Sequence, residues 1–149
     1  MVLFAYDGSE LAALAIEQAG TQLAAGRDAL VVTVWQPADV GFVPTDSRHF
    51  DANEASEVKK AAEVTAAYGA ALAEKAGFPS RSVAVKAVPT WRGIVETAEE
   101  HEASLIVLGS HSRKGLAGRL LGSVAAAVVK HSPASVLVVH DRSSATTAG

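Results

Sequence analysis

The chain of 149 residues contains no cysteine and one methionine, and aromatic residues make up only 5% of it. The absence of cysteine excludes thiolate nucleophiles, cysteine-based zinc sites and disulfides together. It also fits a cytoplasmic protein, which is the localisation we expect. A chain of this length buries roughly 68–70% of the surface that its unfolded form exposes, so one core suffices without a disulfide or metal.

Long hydrophobic runs and an excess of positive charge are also missing. No segment approaches the roughly 18 apolar residues of a membrane span. The apolar run at residues 2–6 is too short for a signal peptide and follows no basic region. The formal net charge is −3, whereas nucleic-acid binding favours a basic face. We therefore expect a soluble protein that binds neither membranes nor nucleic acids.

Strand and helix patterns alternate along the whole chain. Apolar runs predict five strands near residues 2–6, 29–35, 82–87, 104–108 and 135–139. Helical spacing predicts four helices between them, the second with Tyr68 and Gly69 on its apolar stripe. Such alternation indicates right-handed crossovers and a parallel sheet. We expect an α/β fold in one three-layer domain over residues 1–140, followed by a disordered tail at 141–149.

The third and fifth predicted strands differ from the others. The third carries Arg81 and Lys86, and such charges suit a sheet edge. The fifth is wholly apolar along residues 136–139, and at an edge it would invite pairing with another chain. Two arrangements fit these residues: a homodimer through residues 135–139, or a fifth strand that is central or covered by the tail.

A glycine-rich, basic segment at residues 109–123 follows the fourth strand and opens a helix at Gly122-Ser123. Backbone N–H groups at a helix start attract anions, and glycine lets a phosphate approach the backbone closely. The segment predicts a phosphate site, with a solvent loop and a capped helix as the alternative. It has no Walker pattern, and the first turn, Asp7-Gly8-Ser9, lacks the dinucleotide fingerprint.

The same segment resembles the ATP-binding motif of the universal stress protein family, Gly-x2-Gly-x9-Gly-Ser/Thr followed by a helix and a last strand. Here the motif reads Gly109-x2-Ser112-x9-Gly122-Ser123, with its spacing kept. The resemblance covers about residues 2–140. It is supported by further matches at Tyr6-Asp7-Gly8-Ser9-Glu10, Leu120-Leu121-Gly122-Ser123-Val124, Pro133 and Val136-Leu137-Val138-Val139.

The resemblance implies a Rossmann-like sheet in the order 3-2-1-4-5, with a ligand crevice between the first and fourth strands. By position, Asp7 corresponds to the acidic residue near adenine and ribose, and Val34 to the second-strand residue whose backbone meets adenine. The order also places the fifth strand at an edge, which favours the homodimer. The phosphate-loop positions are Gly109, Ser112, Gly122, Ser123 and Val124.

Two departures from the family pattern affect this expectation. Ser112 replaces the second motif glycine. If that position needs a positive φ, serine costs roughly 1–2 kcal/mol, or about tenfold in affinity. At a negative φ serine costs little, and its hydroxyl can contact a phosphate. The second departure is Val88-Pro89-Thr90-Trp91, where the family often has Gly-x-Pro before the third helix. The resemblance therefore does not define the pocket rim near Trp91.

The resemblance implies a regulatory stress-response protein that binds ATP with Mg²⁺. We predict no catalytic residue and at most slow hydrolysis, because Asp7 would lie near the sugar rather than the γ-phosphate. No metal-ligand spacing is present either. Two alternatives stay open: a homodimeric interaction protein of the same fold that binds no nucleotide but an unknown protein partner, which Ser112 favours, and an adenylate-binding enzyme.

Three side chains around the predicted site have competing interpretations. Asp7 could instead form a buried turn or support the start of a helix. Ser9 is expected to cap the first helix. His111 lies in the glycine-rich segment, where it could touch a phosphate or be solvated.

Overall fold

A computed structural model describes residues 1–37, 52–111 and 121–141 of the chain. Within these residues five strands alternate with four helices, as the sequence predicts. Their bounds are β1 Val2–Ala5, α1 Glu10–Gln22, β2 Ala29–Trp35, α2 Ala52–Lys75, β3 Ser80–Lys86, α3 Thr90–Glu100, β4 Leu105–Gly109, α4 Ser123–His131 and β5 Ser135–Val139.

The five strands form one parallel sheet in the order β3-β2-β1-β4-β5. The central strand β1 pairs on both sides, with Phe4 opposite Val31 in β2 and Val107 in β4. The predicted fold and strand order are confirmed. Both β3 and β5 lie at edges, so the alternative of a central fifth strand is wrong. The C-terminal tail beyond residue 141 lies outside the described residues.

The sheet separates two apolar cores. Successive residues of β1 face opposite sides, so Val2 and Phe4 pack in the core under α1 and α2. Leu3 packs in the other core, which includes Ile94 of α3 and Val128 of α4. Because both faces are covered, the central strands are apolar along their whole length. The helices that follow β1 and β4 therefore lie on opposite faces, as a crevice at this point of the sheet requires.

Two glycines let helices approach the sheet closely at its carboxyl end. A Cβ at Gly69 in α2 would lie 2.7 Å from Cδ2 of Tyr6. A Cβ at Gly93 in α3 would lie 2.9 Å from Cγ2 of Val34. Gly69 faces the core as predicted, whereas Tyr68 does not, because its side chain is 63% exposed. The two helices form the walls near the ends of β1 and β2.

Candidate functional site

The turn after β1 presents Asp7 to solvent. Its carboxylate accepts a hydrogen bond of 3.0 Å from the Ser9 N–H, and Gly8 adopts a φ of +84°, which glycine tolerates without strain. Ser9 caps α1 as predicted, because its hydroxyl oxygen accepts from the Ala12 N–H at 3.1 Å. Asp7 thus forms the turn, but it is exposed rather than buried.

The end of β4 meets the start of α1 at Gly109. A Cβ at this position would lie 2.8 Å from Cγ of Leu11, so only glycine allows the approach. Glycine is needed here for packing between the two elements, and not for a positive φ. The contact places the end of β4 against the helix that begins just after the Asp7 turn.

Gly122 lies near the other end of the glycine-rich segment. Its N–H donates to the Ser110 carbonyl at 2.6 Å, and a Cβ would lie 3.1 Å from Cα of His111. Gly122 is buried, Ser123 is exposed and Val124 is half-buried. The residues on either side of the predicted phosphate loop are therefore in contact. Ser112 itself lies outside the described residues, and so does its backbone conformation.

The N-terminus of α4 differs from that of α1. Gly122 is the N-cap of α4 and provides no side-chain hydrogen bond, whereas the Ser9 hydroxyl caps α1. The first N–H groups of a helix have no acceptor within it, and they carry the positive end of its dipole. Ser123 and Val124 begin α4, so their N–H groups point outward where an anion could accept from them.

The backbone of Val34 faces the β1 side of β2. The Val32 carbonyl accepts from the Tyr6 N–H at 2.9 Å, and the Trp35 carbonyl accepts from the Ala87 N–H, beyond β3, at 3.2 Å. Backbone groups of successive strand residues point to opposite sides, so those of Val34 point the same way as those of Val32. The regular pairing of β1 ends at its last residue, opposite Val32. Val34 therefore presents its backbone near the point where β1 gives way to the Asp7 turn.

A tyrosine pair that the sequence did not mark lies beside this turn. The Tyr6 ring is 4% exposed and stacks on Tyr68 with ring centroids 6.4 Å apart. Burial raises the pKa of Tyr6, and the nearby Tyr68 and Asp7 raise it further. The Thr33 hydroxyl donates to the Tyr6 carbonyl at 2.7 Å. In the sequence, Gly69 on the apolar stripe of α2 is the one residue that points to this contact, because a glycine there allows the Tyr6 ring to approach the helix.

The remaining candidate groups do not extend the site. Within the described ranges, no three His, Asp or Glu side chains converge as metal ligands would. No helix in those ranges is both long and apolar enough to cross a membrane. Trp91 stacks on His131 of α4, with ring centroids 4.2 Å apart. Trp91, whose position at the pocket rim the sequence does not define, thus packs against the end of α4.

A doubly wound parallel sheet, with a helix start that has a glycine N-cap beside the strands where the sheet order reverses, defines a Rossmann-like α/β domain. The model of the universal stress protein family matches residues 1–140. The chain belongs to this family.

Curated relatives are similar over different parts of the chain. A universal stress protein of Mycolicibacterium smegmatis is 32% identical over an alignment of 150 residues. The alignment covers 95% of this chain and 46% of the relative. Universal stress protein MJ0577 of Methanocaldococcus jannaschii is 38% identical over 71 residues, which cover 48% of this chain and 43% of the relative. The sequence matches thus span less than half the length of these relatives.

Two solved structures share the fold over more than nine-tenths of this chain. The structure of MJ0577 superposes with a TM-score of 0.74 and 25% identity, covering 94% of each chain. A universal stress protein in complex with cAMP superposes with a TM-score of 0.63 and 26% identity, covering 93% of this chain and 94% of the other.

Proposed function

We propose that this chain binds an adenine nucleotide in the crevice between the carboxyl ends of β1 and β4. The expected ligand is ATP with Mg²⁺, and the expected role is that of a nucleotide-responsive regulatory protein. The bound cAMP of a relative with the same fold supports an adenine ligand. It also makes cAMP the first competitor to test.

One observation carries the proposal: the Val34 backbone, on the β1 side of β2, and the start of α4, which follows β4, lie on either side of β1 and its Asp7 turn in the sheet order. The Val34 backbone would bind the adenine edge, and the N–H groups of Ser123 and Val124 would bind phosphate. The exposed Asp7 carboxylate lies between them, where ribose hydroxyls could donate to it. Gly109 and Gly122 would let the elements around the crevice pack closely, because a Cβ at either position would meet Leu11 or His111.

Mg²⁺ would be held mainly by the nucleotide phosphates and water, as Mg²⁺ usually is in nucleotide sites. It would neutralise phosphate charge. Asp7 already accepts from the Ser9 N–H and lies on the sugar side of the proposed site. It is therefore poorly placed to activate water at the γ-phosphate, so we expect slow hydrolysis at most.

We further propose that the protein forms a homodimer through β5. The strand lies at the sheet edge, and Val136, Leu137 and Val138 are each only half-buried. An apolar edge strand offers free backbone groups and side chains to a second copy. Ligand-dependent binding of a further protein partner would complete the regulatory role.

Backbone amide mapping by NMR tests the nucleotide site. Mg-ATP should shift the amide signals of Val34, Ser123 and Val124, while Asp28 at the amino end of the sheet serves as the internal control. A shallow groove of about 380 Å³ at that amino end, lined in part by Glu102 and Ser135, is the competing location. Shifts confined to this groove, or none at saturating ligand, would overturn the proposal.

A further inference from the structure

The contacts that the described residues make with α4 lie along one apolar face and at its two ends. The helix has nine residues and buries Ala125 and Val128, while half-buried Val124 packs against the same core. At its first turn the Gly122 N–H donates to the Ser110 carbonyl at 2.6 Å. At its last residue, His131 stacks on Trp91 of α3, with ring centroids 4.2 Å apart and planes inclined by 11°. Among the described residues, the helix is therefore held at both ends and by the buried side chains of Ala125 and Val128 between them.

The first turn of α3 contacts both β2 and α4. It carries Trp91, which stacks on His131. It also carries Gly93, where a Cβ would lie 2.9 Å from Cγ2 of Val34. The guanidinium of Arg92 lies 5.6 Å from the centre of the Trp91 ring. One helical turn thus connects the strand proposed to bind the base with the helix proposed to bind phosphate.

We propose that Trp91 is a positioning residue that sets the phosphate-binding end of α4 through its stack on His131. The inference rests on the proposed nucleotide function. A nine-residue helix is a rigid rod of about 13–14 Å. If its last residue moves, the rod tilts over Ala125 and Val128, and Ser123 moves in the opposite sense. Hydrogen bonds to phosphate depend on distance and angle, so such a tilt weakens binding.

The core experiment compares Mg-ATP affinity in two neighbouring variants of α4. His131→Ala removes the stacked ring from an exposed position, and Lys130→Ala is the matched control, one residue away with no ring contact to Trp91. We expect His131→Ala to weaken binding about 3- to 10-fold, the range that loss of an aromatic stack implies. Lys130→Ala should bind like the unmodified chain. Equal affinity in all three proteins would overturn the inference.

Rescue separates positioning from a general loss of stability. His131→Phe restores a flat ring, so its affinity should return to within about twofold of the unmodified chain, the low end of an aromatic pair's contribution. Trp91→Leu, which keeps an apolar side chain without a stacking face, should weaken binding as His131→Ala does. If His131→Phe binds as weakly as His131→Ala, the stack is not the cause and the inference fails.

Fluorine NMR provides a readout that a merely structural role would not change. The chain has two tryptophans, so fluorotryptophan labelling gives two signals, and Trp91→Phe assigns them. Mg-ATP should shift the Trp91 signal, and His131→Ala should abolish most of that shift. An unshifted Trp91 signal in a chain that binds nucleotide would contradict the positioning role of Trp91 but not the proposed nucleotide binding. No binding by the unmodified chain would overturn the proposed function, and the inference with it.

Discussion

Gly109 at the end of β4 lies directly against Leu11 in the first turn of α1, where a Cβ on the glycine would be 2.8 Å from Cγ of the leucine. Leu11 is itself buried. The contact joins the fourth strand to the helix that follows the first. A motif glycine of the family is thus required here by packing, independently of any ligand.

Gly109→Ala should therefore destabilise the protein. Inserting a methyl group into a closely packed contact costs typically about 1–3 kcal/mol, which urea unfolding can measure. In a Leu11→Ala background the same substitution should cost clearly less, because the atom that it meets is gone. Equal costs in the two backgrounds would show that the Leu11 contact is not the cause.

Ser9→Ala should remove the cap of α1 at a cost of about 1 kcal/mol, since the Ala12 N–H loses its acceptor. The matched control is Ser56→Ala, at an exposed position inside α2, where alanine is the better helix former. Thermal or urea unfolding of both variants checks the prediction. A Ser9→Ala variant as stable as Ser56→Ala would mean that the cap contributes nothing.

Stability should fall at high pH because of Tyr6. Burial raises the pKa of Tyr6, with Tyr68 and Asp7 adding to the effect. The folded chain therefore keeps this proton to a higher pH than the unfolded chain, in which tyrosine titrates near about 10. The resulting stability is fully present below that pH and is lost as the pH rises through the folded-state pKa.

Tyr6→Phe should flatten this part of the pH dependence, measured by urea unfolding between about pH 8 and pH 11, the range around the ordinary tyrosine pKa. Tyr68→Phe is the control, because Tyr68 is 63% exposed and affects the Tyr6 pKa only as a neighbour. If both variants lose stability with the same slope as the unmodified chain, the Tyr6 phenol is not responsible.

Much of the fold follows from local pattern. Apolar runs of strand length and helical spacing identify all nine elements in the described residues, and the cap at Ser9 follows from its residue type. The strand order came with the family resemblance, since periodicity alone does not say which strands are neighbours. For the same reason, the edge position of β5 does not follow from its own residues.

Contacts made across the chain could not be read from pattern. The apolar stripe of α2 placed Tyr68 inward, but Gly69 leaves space for Tyr6 at the closest approach, and Tyr68 covers that ring from outside. Likewise, nothing local pairs Trp91 with His131, which are 40 residues apart in the printed sequence. Such pairs depend on how two helices cross the sheet, which single-helix spacing does not specify.

Val138→Lys should disrupt the proposed homodimer. Val138 is half-buried in an apolar edge strand, and a lysine there places a charge in the interface, a common way in which natural edge strands avoid pairing. Light scattering should show the unmodified chain as a dimer and the variant as a monomer. Ser82→Lys on the opposite edge strand is the matched control and should stay a dimer. A Val138→Lys dimer as stable as that of the unmodified chain would contradict the proposed interface.

The central claim is that the start of α4 binds the phosphates of an adenine nucleotide. Calorimetric titration with Mg-ATP tests it most directly in the unmodified chain and in Ser123→Asp. An aspartate in the first turn interacts favourably with the helix dipole, so the stability of the folded chain should be preserved or raised. It also repels phosphate, so affinity should fall by at least about tenfold.

Thr21→Asp, which adds the same charge at the exposed end of α1, is the control and should bind normally. We expect binding by the unmodified chain and by Thr21→Asp, and loss of binding in a stably folded Ser123→Asp. Unchanged affinity in Ser123→Asp would contradict the site, and no heat from a folded, nucleotide-free unmodified chain would contradict the function.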